Sequence, residues 1–419
     1  MVKSNYIFTF RTFWRFFMTG VAILGFGVVG GGVATLLTDN KKEVSALGGD
    51  EIKICRILDL RDFPGSPFEK IVTHNFDDII NDSEVDTVIE VMGGSHPAYE
   101  YTVAALKSGK NVISSNKEVV ANFGDEFLKL AKENGVSYRF EAAVGGGIPV
   151  LSPIISCVRQ NKITEVRGIL NGTTNYILTK MFTYGDSFAD SLADAQERGY
   201  AERNPDADIL GTDAARKIVI LTALVTGKLI SPADISVEGI TKIRSEDVQA
   251  AEQIGAGIKL LGRCVINEDD VKVMVAPFMI PKSEALANVS GVYNAVEVLG
   301  EPIGNVMFYG QGAGAGATAS AVVGDLMQIM RSGINAATPV FEKCDYKSNA
   351  LDSFETQNYI AVSGVNEDKV RSVFGNVQMI GGGEELTFIS EKLTESETAS
   401  FIDRLCACGG TLNSRIRLL

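Results

Sequence analysis

The chain has 419 residues, 45% of them hydrophobic and 22% charged, so we expect a globular protein of two or three domains. Its net charge of −13 and pI near 4.9 argue against the basic surface that nucleic-acid binding requires. Only two histidines, and six cysteines without a C-x-x-C pair, argue against a zinc site. We interpret the cysteines as reduced, buried, small side chains of a cytoplasmic protein.

The first 17 residues are rich in aromatic side chains, with basic residues among them. A signal peptide is one interpretation, but no small-residue cleavage site precedes the first predicted strand. Because Met18-Thr19-Gly20 comes directly before that strand, we favour a start-site artefact and treat residues 1–17 as an extension outside the core. The sequence has no uninterrupted apolar run of about 18 residues, so no membrane span is predicted.

A short apolar strand, residues 21–24, is followed by the motif Gly25-Phe26-Gly27-Val28-Val29-Gly30 and a helical run to Leu37. A strand, then G-x-G-x-x-G, then a helix is typical of a dinucleotide-binding domain. The first glycine allows a tight turn, the second lets backbone approach a pyrophosphate, and the third lets helix and strand pack closely. N–H groups at the helix start would face the phosphates, and a glycine-rich turn without a ligand is the alternative.

Two later strand ends carry further candidates for cofactor binding. Strand 53–58 ends at Asp59, which could bind both ribose hydroxyls of NAD and repel the 2′-phosphate of NADP, whereas Arg61 could do the opposite. Strand 85–91 ends at Met92-Gly93-Gly94, where glycines permit close approach of a ligand. We lean towards NAD without excluding NADP.

Lys117 follows the next predicted strand, 111–115, at the edge where ligands bind in open α/β sheets. It is therefore a candidate site residue, with a solvated lysine as the alternative. After a helix near 124–134, strand 136–140 runs into Glu141 and three glycines at 145–147. Their carboxylate and carbonyl oxygens suit a hard cation, and an interdomain hinge is the alternative.

The pattern changes near Pro149, where we place a domain boundary. Strand 164–170 leads to Asn171-Gly172-Thr173-Thr174-Asn175 and a helix from Tyr176, whose start could receive a carboxylate. The predicted elements that follow are a helix at 188–198, a hairpin at 259–266 and 271–280, a strand at 304–309, a helix at 318–331, and a βαββαβ unit from 359 to 418. Glycines at 310–316 open the helix at 318–331 and could close over a cofactor or merely pack tightly.

Residues 199–217 contain several acidic groups and the start of an amphipathic helix. Thr212 is a plausible N-cap, and Asp213 and Lys217 share one helix face at a spacing of four. Taken alone, this is a surface ion pair worth roughly 0.2–0.5 kcal/mol.

Together these motifs resemble the homoserine dehydrogenase family, in its monofunctional form with a C-terminal ACT-like domain. The matching segments are residues 21–30, 144–149, 171–177, 199–221 and 310–325, and the match at 199–221 is the most specific. The resemblance covers essentially the whole chain after Met18. It implies a pyridine-nucleotide enzyme that interconverts L-homoserine and L-aspartate 4-semialdehyde, on the route to threonine, isoleucine and methionine.

The resemblance implies an α/β fold with three parts. A Rossmann-type doubly wound parallel sheet would occupy residues 18–148 and be completed by the helix near 310–335. An α+β substrate-binding and dimerisation domain would occupy residues 149–309, and a small βαββαβ ACT-like domain residues 355–419.

With the motifs above, the resemblance also gives a set of expected site residues. The cofactor residues are Gly25, Gly27, Val28, Val29, Gly30, Asp59, Gly93, Gly94, Lys117, Gly312 and Gly314. The substrate residues are Gly172, Thr173, Tyr200, Glu202, Asp208 and Lys217. The catalytic residues are Lys217, Lys117 and Asp213, and a monovalent cation, Na⁺ or K⁺, would be held by Glu141 and the carbonyls of Val144, Gly146 and Ile148.

A lysine at the reacting oxygen could give a proton during aldehyde reduction and take it during oxidation. A second lysine nearby would lower its pKa and Asp213 would oppose that effect. The sequence leaves Lys117 and Lys217 as alternatives for this role, and we favour Lys217.

Two departures from the family pattern modify these expectations. Leu58-Asp59 lacks the arginine that precedes the acid in many NADP-using relatives, which favours NAD. Asn366-Glu367-Asp368 replaces the usual Pro-Gly turn of an ACT domain, which argues against feedback inhibition by threonine. We expect a cytoplasmic homodimer or homotetramer with a small-molecule substrate and without nucleic-acid or membrane partners.

Two other functions compete with this prediction. Another oxidoreductase on the same scaffold would have no reason to carry the 199–217 signature. A non-catalytic nucleotide or amino-acid sensor would lack the proton-transfer lysine, yet both lysines are present.

Overall fold

The structure is a computed structural model that describes residues 18–268, 270–332, 338–346 and 350–419. The predicted extension, residues 1–17, lies outside the described residues, so its interpretation is untested. Among the described residues, none of the helices is long and apolar enough to cross a bilayer.

From β1 to β5, one or two helical segments separate each strand from the next, and after α5 the order of helices and strands is irregular. The helices are α1 Val28–Asp39, α2 Lys41–Gly48, α3 Asp77–Ile80, α4 Ala98–Lys107, α5 Lys117–Glu133, α6 Leu151–Pro153, α7 Gly172–Tyr184, α8 Phe188–Glu197, α9 Asp206–Ile209, α10 Thr212–Thr226, α11 Ser245–Gln253, α12 Ala315–Ser332, α13 Glu367–Phe374 and α14 Glu395–Ala407. Short 3₁₀ turns lie at Glu69–Ile71, Glu141–Ala143 and Ala285–Asn288, and a π turn at Ile154–Val158.

The strands are β1 Met18–Leu24, β2 Glu51–Leu58, β3 Val72–Thr73, β4 Thr87–Glu90, β5 Asn111–Ser114, β6 Tyr138–Arg139, β7 Lys162–Ile169, β8 Lys228–Leu229, β9 Ser236–Val237, β10 Ala256–Asn267, β11 Asp270–Pro281, β12 Tyr293–Glu301, β13 Gly304–Gln311, β14 Glu342–Lys343, β15 Glu355–Thr356, β16 Asn358–Ser363, β17 Val377–Gly381, β18 Glu385–Ser390, β19 Leu393–Thr394 and β20 Thr411–Leu418.

The first sheet is parallel and, within the described residues, has six strands in the order β3-β2-β1-β4-β5-β6. Residues 21–24 of β1 are fully buried, as a strand covered on both faces should be. Burying each such side chain contributes about 1.5–3 kcal/mol. The order reverses between β1 and β4, and ligands bind at such a switch point. The Rossmann-type prediction is confirmed.

The second sheet is mixed and, among the described residues, has ten strands. Nine follow the order β13-β12-β7-β10-β11-β20-β16-β18-β17, and β9 also pairs with β11. The last strand, β20, runs parallel to β11 and antiparallel to β16. The C-terminal βαββαβ segment therefore continues this sheet, while its likeness to an ACT domain stays a prediction.

Several predicted boundaries were wrong. Helix α5 begins at Lys117 rather than near Gly124, because the Asn116 side chain caps it by accepting from Glu118 N–H and Val119 N–H. Helix α10 is preceded by Gly211 in the left-handed region (φ 87°), so Thr212 is its first residue and not its N-cap. Strand β6 covers only Tyr138–Arg139.

The prediction of buried cysteines was also wrong in part. Cys55 and Cys264 are buried, but Cys157, Cys406 and Cys408 are exposed and Cys344 is intermediate. All six are free thiols.

Candidate active site

The glycines of the first motif differ in their surroundings. Gly25 turns the chain with φ 93°, and a Cβ on Gly30 would lie 2.0 Å from Gly25 O, so these two positions serve the turn and the packing. A Cβ on Gly27 would meet nothing within 4 Å, which leaves room for a ligand. The first hydrogen bond of α1 runs from Gly31 N–H to Gly27 O. The N–H groups of residues 28–30 therefore remain available to phosphate oxygens.

Asp59 lies beside this motif, but it is already engaged. It accepts from Phe26 N–H at 2.7 Å and from Arg61 Nε at 2.9 Å and Nη2 at 3.0 Å. The Arg61 side chain outweighs the effect of burial and holds the pKa of Asp59 well below its usual range. Asp59 is therefore one half of an ion pair, and its charge is partly neutralised.

A second turn at the same sheet edge is built on a buried carboxylate. Gly93 (φ 89°) and Gly94 (φ 73°) are both left-handed, and a Cβ on Gly93 would meet nothing within 4 Å. Glu90, at the end of β4, is fully buried and accepts from Met92 N–H at 2.9 Å and Ser114 Oγ at 2.6 Å. Asn116 Nδ2 donates to Gly94 O at 2.7 Å. These bonds fix the turn against the start of α5.

Lys117 and Lys217 meet on one carboxylate. Lys117 Nζ lies 2.8 Å from Asp213 Oδ1, and Lys217 Nζ lies 2.8 Å from Asp213 Oδ2. Lys217 also donates to Leu170 O at 2.7 Å. Asp213 and Lys217 are buried, whereas the Lys117 side chain is 38% exposed. The solvated surface pair considered from the sequence is thus excluded.

The electrostatics of this cluster follow from burial. Burial lowers the pKa of Lys217, and the charge of Lys117 lowers it further, while Asp213 opposes both effects. Burial alone would raise the pKa of Asp213, but the two ammonium groups outweigh it and hold that pKa well below its usual range. The aspartate is therefore ionised, and the buried lysine is easier to deprotonate than a lysine in water.

Asn171 joins this cluster to a second acid. Its Nδ2 donates to Asp213 Oδ2 at 2.9 Å and to Asp208 Oδ1 at 2.7 Å, and its Oδ1 caps α7 through Thr174 N–H at 2.9 Å. Burial raises the pKa of the half-buried Asp208. Asn171 was absent from the predicted site residues, although an Asn before a helix start is a recognisable N-cap signal.

The other expected substrate residues lie at the start of α7 and on the loop before α9. Thr173 Oγ1 donates to Tyr200 O at 2.6 Å, and the Tyr200 ring lies 4.9 Å from that of Tyr176. A Cβ on Gly172 would lie 2.7 Å from Val292 O, so tight packing accounts for this glycine. Glu202 is exposed, on the loop before α9.

The Glu141 carboxylate of the expected cation loop is engaged by backbone donors. The Glu141 carboxylate accepts from three consecutive N–H groups at the start of α6, those of Val150, Leu151 and Ser152, at 2.6–2.8 Å. This leaves it about one free lone-pair site of the roughly four on a carboxylate.

The carbonyls in that loop are less engaged than the carboxylate. Among the described residues, no backbone hydrogen bond outside helices and strands ends on the carbonyls of Val144, Gly146 or Ile148. The Glu141 backbone N–H donates to Asp325 Oδ2 at 2.8 Å. Burial and the Glu141 charge raise the pKa of Asp325 to about 7.

The late glycine loop packs against this segment. A Cβ on Gly146 would lie 2.3 Å from Gly312 O, and one on Gly312 would lie 1.9 Å from Asn294 Nδ2. Gly314 (φ 123°) has open space around it. Close packing therefore explains the glycine at position 312. Of Gly312 and Gly314, only Gly314 leaves room for a ligand.

Comparisons with known proteins give one consistent result. Residues 149–327 match the family described as homoserine dehydrogenase, and residues 25–141 match the homoserine dehydrogenase NAD binding domain. The chain is 41% identical to the homoserine dehydrogenase of Neisseria gonorrhoeae, over 74% of this chain and 72% of the relative. It is 36% identical to that of Bacillus subtilis, over 84% of both.

Solved structures agree. A homoserine dehydrogenase from Thiobacillus denitrificans superposes with a TM-score of 0.87 at 32% identity, covering 96% of this chain and 98% of that one. A hyperthermophilic archaeal homoserine dehydrogenase mutant in complex with NADPH gives 0.63 at 25% identity, covering 74% of this chain and 97% of that one.

Proposed function

The chain belongs to the homoserine dehydrogenase family of NAD(P)-dependent oxidoreductases, and we propose that Lys217 transfers the proton in its interconversion of L-homoserine and L-aspartate 4-semialdehyde. The observation that carries this proposal is the position of Asp213 between the two lysines. A lysine ammonium has three donors, and Lys217 uses two on Asp213 and Leu170 O, so one remains for a substrate oxygen.

The cofactor fits the open glycine positions of the parallel sheet. A nicotinamide nucleotide would lie on Gly27, Gly93 and Gly314, where added side chains would meet open space. When bound it supplies or accepts the hydride. The residues of this chain orient the substrate and move the proton.

Each residue of the cluster then has one task. During oxidation, neutral Lys217 accepts the hydroxyl proton, and during reduction its ammonium returns it to the developing alkoxide. Ionised Asp213 holds both lysines in place. Asp208 and Glu202 supply negative charge for the substrate ammonium, beside Thr173 and Tyr200.

NAD and NADP are both compatible with the ribose end of the site. Because Arg61 neutralises part of the Asp59 charge, the repulsion of a 2′-phosphate expected from the sequence is weakened. Arg61, whose side chain is 61% exposed, is available to a phosphate.

Three further features of the prediction belong to the proposal. We keep the homodimer or homotetramer as an expectation, and a cytoplasmic location agrees with the free thiols. A monovalent cation at the loop of Glu141 is supported by the unengaged carbonyls, and no chemical step depends on it. We also keep the proposed domains at residues 18–148, 149–309 and 355–419. The packing of α12 on α1 supports the proposal that this late helix completes the first domain.

The test is nucleotide reduction by the purified protein with L-homoserine, with NAD and NADP in parallel and with and without threonine. L-Serine, one methylene shorter, is the matched control. Homoserine-dependent absorbance of the reduced nucleotide is expected. Its absence with both nucleotides would contradict the proposed function.

A further inference from the structure

Glu118, the residue after Lys117, receives contacts from two separate parts of the protein. Ser95 Oγ donates to Glu118 Oε1 at 2.6 Å, and Arg216 Nη2 lies 3.1 Å from Glu118 Oε2. Ser95 directly follows the Gly93-Gly94 turn, and Arg216 directly precedes Lys217. One carboxylate therefore connects the Gly93-Gly94 turn, which we call the cofactor turn, to helix α10, which carries Asp213 and Lys217.

The backbone beneath this carboxylate is held firmly. Glu118 N–H donates to Asn116 Oδ1 at 3.1 Å, and Asn122 Nδ2 donates to Glu118 O at 2.9 Å. The side chain thus projects from a capped helix start, and it occupies the junction that the Lys117–Asp213 contact also spans.

The Glu118–Arg216 ion pair is partly exposed, so we expect its contribution to folding to be modest. The side chains of Glu118 and Arg216 are 28% and 31% exposed, so water screens their attraction. Their significance lies in their place, one residue from each lysine. A misplacement of about 1 Å can reduce an enzyme's rate on the order of a hundredfold.

We propose that Glu118 is a positioning residue that couples the cofactor turn to the orientation of Lys217 and Asp213. The proposal rests on the proposed function. Ser95 and Arg216 each contact Glu118, so replacing either one should release the same constraint. Their effects on turnover should therefore overlap instead of multiplying.

The experiment compares four variants by steady-state kinetics with L-homoserine: Ser95→Ala, Arg216→Met, the double variant, and Glu118→Ala. Arg216→Met keeps the apolar stem and removes the charge. We expect each single variant to lower kcat on the order of tenfold and the double variant to be no worse than Glu118→Ala. A serine that touched only the nucleotide would instead raise KM for the nucleotide, and its effect would multiply with that of Arg216→Met.

Glu126→Gln is the matched control, because Glu126 lies on the same helix and also accepts from a hydroxyl, that of Tyr99. It should leave kcat within about twofold of the unsubstituted enzyme. Multiplicative effects, or variants with unchanged kcat, would overturn the coupling while the unsubstituted enzyme still oxidises homoserine. Failure of the unsubstituted enzyme to do so would overturn the proposed function instead.

Discussion

Two of the buried ion-pair clusters among the described residues differ in the kind of cation. In one, Arg417 on β20 donates to Glu395 at 2.8 and 2.9 Å and to Glu238 at 2.8 Å. Burial opposes its charge, but these carboxylates hold the pKa of Arg417 above its ordinary value. In the other, burial lowers the pKa of Lys217 despite Asp213.

We interpret this difference as the one between a structural charge and the reactive charge that we propose for Lys217. A guanidinium stays protonated and engages carboxylates through a fixed, planar set of donors. An ammonium gives up its proton more readily when buried, and Lys217 keeps one donor free. Both side chains are largely buried, with about 3% of Arg417 and 8% of Lys217 exposed. Similar burial therefore accompanies the joining of two segments in one case and, as we propose, proton transfer in the other.

The largest effect is expected for Lys217→Ala, which tests whether Lys217 is the reactive cation. We expect kcat for homoserine oxidation to fall by about 10²–10⁴-fold, the usual contribution of a proton-transferring group. Nucleotide binding, measured by titration calorimetry, should persist, because the cofactor turns are built by other residues. A variant with near-normal kcat would remove Lys217 from the proton path.

Arg417→Met tests the structural cluster. It leaves Glu395 and Glu238 without this partner and should lower the free energy of unfolding by about 3 kcal/mol, as expected for breaking a buried pair. The midpoint of urea unfolding measures the loss. Turnover per folded molecule should stay near normal, and a loss of kcat as large as that of Lys217→Ala would show that the clusters do not divide their tasks in this way.

Asn171→Ala tests whether the cluster around Lys217 depends on its neighbours, because Asn171 bridges Asp208 and Asp213. Removing its donors from partly buried acceptors costs about 1–3 kcal/mol and should lower kcat/KM on the order of tenfold or more. Asn366→Ala is the control, since Asn366 caps α13 through Lys369 N–H at 2.9 Å, away from the site. Equal kinetic losses in both variants would mean that only the helix cap matters.

The smallest effect concerns pH. Homoserine oxidation needs neutral Lys217, so the rate should rise by at most tenfold per pH unit and level off below the ordinary lysine pKa of 10.5. Aldehyde reduction, which needs the ammonium, should fall over the same range. The pH profile of kcat in both directions measures this, and an oxidation rate still rising above pH 10.5 would contradict a lowered pKa.

Sequence reasoning succeeded where short motifs dictate geometry. The strand, glycine turn and helix at residues 21–37 predicted the parallel sheet, because the turn requires Gly25 and the close packing of helix and strand requires Gly30. The spacing of Asp213 and Lys217 placed them on one helix face. Local spacing does not show whether a pair is buried, however, so the sequence alone suggested a surface contact. In the structure, Asn171 donates to Asp213 and Lys217 donates to Leu170 O.

Contacts between distant segments could not be predicted. Nothing in the sequence near Arg216 indicates Glu118, 98 positions earlier, as its partner. Even for neighbours the pairing was missed: the sequence indicated opposite effects of Asp59 and Arg61 on the cofactor, but it did not indicate that the two side chains bind each other. The sequence also did not indicate that the start of α6 supplies three N–H donors to the Glu141 carboxylate.

The place of β20 in the second sheet has a consequence for biosynthesis. This strand is translated after every other strand of the sheet, yet it lies between β11 and β16. On the ribosome, β11 would therefore carry an open edge until residues 411–418 emerge, and such edges invite pairing with other chains. We therefore expect nascent chains of this protein to need chaperone protection until residues 411–418 have emerged from the ribosome.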